Sequence, residues 1–482
     1  MGTPMSDDAA RAIALVVGRA RSWRVTVWSS AACEAVGTPV DGQRSAMTDA
    51  IEVSPSEAAP LTRDGTLETV ALAAALLFEY GQTTERMVVA AERLGHALAE
   101  PVRVLPHWGQ LAVEIEHTPF VQLIPAVPLG VDMGKVLAVM IVVDRVCDGT
   151  LPRQAARAAL AAAGRLPAAS TLRFALFAAL GAASLGVIFG ALDAASLLLI
   201  AASSGIGALA RRGLGTLGGN PFIQPLCASA IAGAVAAVAG RWQLSEGQSL
   251  VAFCPCMILV PGPHILNGAI DLARARITLG IARLGYAGLI VLMICAGLLA
   301  GLAVGGATLP IAEASAPVPL AVDVIAAGCA VAGFGTFFSM PWRLLPFPIA
   351  VGMLAHAARW ALISLAGANV AAGALVACAL VGIIVTPLVD RPRLPFAAFA
   401  FSAVVSLMPG FFLFRTAGAL VELVSIGPHA PADLLTSAVA NGVTAFLIIL
   451  AMTFGLILPR MLYERFLAAP AGHRRPTAVP DT

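Results

Sequence analysis

The stretch LVPGPHILNGAID, Leu259 to Asp271, interrupts a long apolar run with two prolines, two glycines, a histidine, an asparagine and an aspartate. A helix crossing a membrane keeps its backbone polar groups paired within itself, because hydrocarbon offers no other partner. Each proline removes a donor and clashes with the preceding turn, so the sequence predicts a helix broken inside a span. The amides and carbonyls freed at such a break are able to bind a zwitterion or an ion.

Composition supports a membrane reading. The chain has 482 residues, 59% hydrophobic and 12% charged, with a mean hydropathy of +0.86, outside the balance of soluble domains. Residues 1–171 hold 14 Lys+Arg and 18 Asp+Glu, whereas the longer stretch 172–458 holds 12 and 8. A polar first third therefore precedes a lipid-solvated remainder. A net charge of +2, with no basic run interleaved with aromatics, excludes a nucleic-acid partner. Six of the eight cysteines lie in apolar spans, and Cys254 and Cys256 of FCPC have no second pair or histidine cluster. No metal and no cofactor is expected.

Residues 1–65 read as a disordered polar leader, with Met47 as an alternative start. From Thr66 apolar residues recur at helical spacing to Tyr80, where Gly81 ends the helix and Thr83 or Thr84 caps the next, TERMVVAAERLGHALA. PVRVLPHW and QLAVEIEH alternate as paired strands around Gly109, FVQLIPAV adds a third, and two further helices follow, the second with Pro152 in its first turn. The expectation for 66–170 is a small soluble α+β domain.

Beyond Leu172, ten segments are long enough to cross roughly 30 Å of hydrocarbon: about 172–190, 194–210, 221–239, 249–268, 283–306, 317–340, 344–366, 369–389, 395–414 and 434–458. With a cytoplasmic N terminus, Arg211, Arg212, Arg274, Arg276, Arg283, Arg343, Arg391, Arg393, Arg460 and Arg465 fall on the inner side, against Arg241 on the outer side and Arg415 at a span end, an asymmetry of the kind the positive-inside rule describes. Both termini are then cytoplasmic.

The ten spans also read as five repeated, 171–315 and 316–460, before a tail at 461–482. LVPG (259–262) recurs as LMPG (407–410), Phe253 matches Phe401 at the same offset, and GIGALARR (205–212) is similar to GMLAHAAR (352–359). An odd number of spans per repeat inverts the second half across the bilayer. Inverted repeats with interrupted helices are the signature of secondary transporters.

The motifs LVPGPHILNGAIDL and GIARL, the upstream LLFEYGQTTERM and the later LMPGFF resemble the threonine/serine exporter family of bacterial inner-membrane proteins over about residues 66–458. The strongest element is the pattern Pro261, Gly262, Asn267, Asp271. The resemblance implies a polytopic α-helical protein of ten spans in two five-span halves, preceded by a cytoplasmic domain with hydrolase-like patterns. It also implies export of threonine or serine driven by the proton motive force. Two departures stand out. Arg86 is followed by Met87 and Val88, where family members commonly have Val-Glu, and the position matching Asn267 in the second half is Arg415.

Several residues then become candidates. Asp271 is the proton-coupling carboxylate, or else pairs with Arg274 or Arg276. Pro261, Gly262, His264, Asn267, Pro409 and Gly410 are expected to contact substrate at the two breaks. Arg359, one helical turn from His356, is expected to bind a substrate carboxylate or to snorkel to the interface. Arg415 and Glu422 form a gate or a structural pair. Asp323 is expected at the outer interface, and Asn441 bonds between helices. Gly81, Thr84 and Arg86 mark the motif of the soluble domain. The competing functions are a transporter of another small carboxylate metabolite or dipeptide, and a membrane-anchored hydrolase acting through the N-terminal domain.

Overall fold

The computed structural model describes residues 63–218, 220–307, 318–390 and 395–466. The leader with Met47, the loop arginines Arg391 and Arg393, the boundary between the repeats and most of the tail lie outside the described residues.

The N-terminal part is a small α+β region. Helices α1 (Arg63–Glu79) and α2 (Thr84–Ala97) precede strands β1 (Val102–His107), β2 (Gly109–Ile115) and β3 (Val121–Ala126), and α3 (Met133–Cys147) and α4 (Ala156–Gly164) follow. The strands form one antiparallel sheet in the order β1-β2-β3, with Val102 opposite Ile115. Leu111, Val113 and Ile115 point to the buried face of β2, the two-residue period read in the sequence. Gly81 has φ +93°, a left-handed conformation that favours glycine. Thr83 occupies the N-cap of α2, but its side chain makes no cap bond, and the Thr84 hydroxyl is directed elsewhere. Pro152 precedes a single 3-10 turn, Arg153–Ala155, before α4 begins.

Among the described residues, nine helices are long and apolar enough to cross a membrane, and a bent pair makes a tenth. They are α5 (Thr171–Ile188), α6 (Ala194–Thr216), α7 (Ile223–Arg241), α10 (Ile277–Val304), α11 (Leu320–Phe337), α12 (Pro346–Ser364), α13 (Val370–Asp390), α15 (Gly410–Ile426) and α16 (Ala432–Phe466). The bent pair is α8 (Gln248–Met257) and α9 (Gly262–Ala273), which meet at 61°. The break at Pro261 is thus real, and it continues the chain for a further helix down to Ala273.

Two expected boundaries are corrected. The segment 395–414 is two helices: the short α14 (Phe396–Val404), a 3-10 turn at Val405–Leu407, and then α15, which starts at Gly410. Apolarity continues on both sides of Pro409, so hydropathy alone could not locate the break. Helix α10 starts at Ile277 rather than near 283, which puts Arg283 inside the helix and leaves it only 2% exposed.

Helix contacts follow small residues, as expected where lipid is as apolar as leucine and close backbone approach supplies the attraction. A Cβ on Gly297 or Gly301 of α10 would overlap the carbonyl oxygens of Leu226 and Ala230 on α7. On the other side of the molecule, Gly455 of α16 lies against the Leu375 carbonyl of α13. Helices α5 and α11 cross where Gly181 meets Gly333 backbone to backbone.

Candidate functional site

The polar residues of the first break reach the N-terminal α+β region. The Thr84 hydroxyl donates to Asp271 Oδ2 at 2.9 Å, and Asn267 Nδ2 donates to the Gly81 carbonyl at 3.2 Å. His264 Nε2 lies 3.0 Å from the Pro128 carbonyl, and its ring packs on Tyr286, centroids 5.2 Å apart. Glu85 and Arg274 form an ion pair across the same boundary. Arg86, beside Glu85, sits on α2. The spacing of three to four residues in α9 sets His264, Asn267 and Asp271 on one helical face, and that face meets the Gly81 turn. Gly81, Thr84, Asn267 and Asp271, read as two separate motifs in the sequence, are one joint.

Asp271 is 1% exposed. Arg283 Nη1 lies 3.3 Å from its Oδ2 and Arg276 Nη1 3.5 Å from its Oδ1. Pairing with arginine, the alternative read in the sequence, is therefore present for Arg276, with Arg283 as an unforeseen second partner. The guanidinium of Arg283 also stacks over Phe78 of α1. Beside this joint, Asp132 caps α3 by accepting from the Lys135 N–H at 3.1 Å. Burial pushes its carboxyl above the ordinary value of 3.8, with the Lys135 N–H bond pulling the other way. The next residue, Met133, donates its N–H to the Phe338 carbonyl at the end of α11.

Two cavities adjoin the two breaks. One, of about 340 Å³, lies at the first break beneath Leu129–Val131 of the α+β region and includes Pro261, His264, Arg211 and Tyr286 in its wall. The other, of about 360 Å³, lies at the second break, between Asp323 of α11, Arg359 of α12 and Phe411 and Arg415 of α15. Phe174 lines the first and Ile188 the second, at opposite ends of α5. An 18-residue helix is about 27 Å long, close to the thickness of the hydrocarbon.

The second cavity contains polar groups in an otherwise apolar setting. His356 is fully buried. Its Nδ1 lies 3.2 Å from Asp323 Oδ2 and its Nε2 3.0 Å from Ser406 Oγ. Asp323, in the first turn of α11, is 3% exposed and packs inside the protein. Ser406 sits in the 3-10 turn that interrupts the second broken helix. Ser406, Asp323 and Arg359 all line the cavity. Arg415 lines it too and stacks over Phe411; among the described residues it makes no ion pair with Glu422. Pro409 and Gly410 form the break itself, with Gly410 packed against Met257 and Val260 of the first half. Asn441 donates both of its amide bonds to Ser437 of its own helix, not between helices as expected.

The sequence singled out Arg359 but not Ser406. It offered Asp323 and His356 only as isolated polar residues in apolar spans, which is itself the signal that such residues carry function. Among the described residues, no group of three or more His, Cys, Asp or Glu side chains is arranged to hold a metal.

Two family models match the chain. One, described as "Putative threonine/serine exporter", covers residues 68–305, and the other, described as "Threonine/Serine exporter, ThrE", covers residues 323–462. No curated protein and no solved structure matches it. The two matches run in sequence from α1 through the last span, and the chain therefore belongs to the threonine/serine exporter family of multi-pass membrane proteins.

Proposed function

We propose that this protein is a secondary transporter that exports threonine and serine across the bacterial inner membrane by alternating access, driven by the proton motive force. The supporting observation is the pair of cavities, one at each broken helix and at opposite ends of α5. In this reading the spans form two inverted five-helix repeats, 171–315 and 316–460. The matching helix contacts of α7 with α10 and of α13 with α16 support it. So does the lining of each cavity by the same part of each repeat. The soluble domain, 66–170, and both termini are cytoplasmic, as the arginine distribution indicates.

The cavity at the second break then faces outward and holds the substrate. Arg359 pairs with the α-carboxylate as a charge-assisted partner, and the carboxylate of Asp323 faces the ammonium. The first-turn N–H groups of α15, which have no intrahelical acceptor by position, add donors beside Gly410. Trp360, Phe411 and Phe412 wall the space with rings and exclude bulky side chains. The cavity at the first break is the inward route, with Pro261 and His264 in its wall.

The test is flux of labelled threonine in proteoliposomes holding the purified full-length protein, with and without an imposed pH gradient. Gradient-dependent flux competed by serine but not by phenylalanine is expected. Absence of threonine and serine flux from protein that remains folded overturns the reading. Arg415, a second cation in the same cavity wall, favours a second substrate class, a small dicarboxylate or a dipeptide, and competition by those compounds decides it.

A further inference from the structure

Three side chains from three separate segments make a continuous hydrogen-bonded chain inside the membrane part of the molecule: Asp323 of α11, His356 of α12 and Ser406 of the 3-10 turn. Burying an aspartate and a histidine in lipid-solvated helices is costly unless they are paired, and such groups mark function. One end of this chain, Ser406, and the other, Asp323, both line the cavity of about 360 Å³, whereas the imidazole between them is fully buried.

We propose that the Asp323–His356–Ser406 chain is the proton site of transport, and that protonating His356 reverses the hydrogen bond of Ser406 and so exchanges a bound amino acid for a proton. The inference rests on the reading of this cavity as the substrate site. It assigns the coupling role expected of Asp271 to a different carboxylate.

The argument is one of donors and acceptors. A neutral imidazole donates at one nitrogen and accepts at the other. Beside a carboxylate, Nδ1 carries the hydrogen and donates to Asp323. Nε2 then accepts the Ser406 O–H, and the Ser406 lone pairs face the cavity. In this state the site offers the negative charge of Asp323 and an acceptor at Ser406, both suited to an ammonium group.

When a hydronium ion in the cavity delivers a proton to Ser406 Oγ, the hydroxyl's own proton passes to Nε2. The water leaves neutral, Ser406 remains a hydroxyl, and the imidazole becomes a cation that donates at both nitrogens. Its charge neutralises that of Asp323, and Ser406 Oγ must now accept from Nε2, so its O–H turns toward the cavity. An acceptor for the ammonium has become a donor that opposes it. The charged groups facing the pair are Arg359 on α12 and Arg415 on α15, both of which line the cavity. Both are cations and Asp323 is the one carboxylate among the residues lining the cavity, so proton and ammonium compete for it, as antiport requires.

The full-length protein in detergent and in liposomes tests this. Wild-type protein in weakly buffered, mildly acidic solution is expected to release protons when threonine binds, and its threonine affinity is expected to fall as pH is lowered. With His356→Gln that pH dependence is lost, and accumulation driven by a pH gradient falls to the level without a gradient, while threonine-for-threonine exchange continues more slowly. Ser406→Ala is the milder variant and flattens the same pH dependence.

Wild-type protein that binds threonine without releasing protons overturns the inference, whether or not the variants fold. Driven accumulation that survives His356→Gln overturns it as well. A wild-type protein that neither binds nor moves threonine or serine instead overturns the parent reading of the cavity, and this inference falls with it.

Discussion

Gly262 and Gly410 open the second halves of the two broken helices, and each lies against the other's break. A Cβ on Gly262 would stand 3.1 Å from Val405 Cγ2 and 3.2 Å from Met408 Cε, and one on Gly410 would stand 3.2 Å from Met257 Cγ and 3.4 Å from Val260 Cγ2. Val405 and Met408 hold the same offsets from Gly410 that Met257 and Val260 hold from Gly262. The two motifs that looked like separate binding loops are therefore one contact.

A side chain at either glycine acts on that contact first. Gly262→Ala asks Val405 and Met408 to give by only a few tenths of an ångström, which Met408 does readily and Val405 at a small cost. Gly262→Val adds a branched group that neither Val405 nor Met408 clears, an overpacking of about 1–3 kcal/mol. We expect the valine variant to be inserted in the membrane at near wild-type amount but slowed in transport, measured as threonine flux per molecule in proteoliposomes. Equal flux for the two variants would show that the breaks do not move against each other.

The joint at Asp271 makes a different prediction. Asp271→Asn leaves the buried Arg283 without its carboxylate, and breaking a buried pair in this way costs about 3–5 kcal/mol. Thr84→Val removes one neutral donor to the same carboxylate, for about 1 kcal/mol. Thermal unfolding of the full-length protein should drop for both, far more for Asp271→Asn, and the double variant should lose less than the sum because the two share one bond. Additive losses would separate Thr84 from Asp271.

These two sites mark what the sequence could and could not reveal. Pro261 and Gly262 are visible from composition alone, because proline and glycine have no ordinary place inside a membrane helix. The N-terminal α+β region is equally legible, because its strands alternate and its helices keep a period. The bond from Thr84 to Asp271 spans 187 positions, and no local pattern encodes such a contact. Asn267 and Asp271 were correctly singled out as unusual, but where they point depends on the Gly81 turn packed across from them. Ser406 was missed for a simpler reason: one serine in FSAVVSLMPG is unremarkable until His356, fifty positions earlier in the chain, arrives beside it.

Asp132 carries a pH dependence. Its folded-state value is raised by burial, so the folded protein holds a proton that the unfolded chain has already lost. Stability then falls as pH rises from 3.8 through the higher folded value, opposite to the behaviour of a salt-bridged carboxylate. Asparagine also caps helices but does not titrate, so Asp132→Asn should remove this slope and leave neutral-pH stability equal or higher. Asp132→Ala should lose the cap of α3, at about 0.5–2 kcal/mol. Melting temperatures of the detergent-solubilised protein across the acidic range check both, and an unchanged slope in the asparagine variant would remove Asp132 as its source.

Arg359 bears most directly on transport. It lies on the wall of the cavity at the second break, near Asp323, and among the described residues it makes no hydrogen bond to protein. A guanidinium held inside a span without a protein acceptor is positioned for an anion that comes and goes. Loss of a hydrogen bond to a charged group costs about 1.5–3 kcal/mol, which corresponds to roughly 10- to 100-fold in affinity. Arg359→Gln should therefore raise the KM for threonine by that factor while the maximal rate falls much less. Arg359→Lys should not restore it, because an ammonium cannot present the paired N–H groups that match a carboxylate. If both variants keep the wild-type KM, the carboxylate does not bind at Arg359. Arg415, across the same cavity, would then be the next guanidinium to replace.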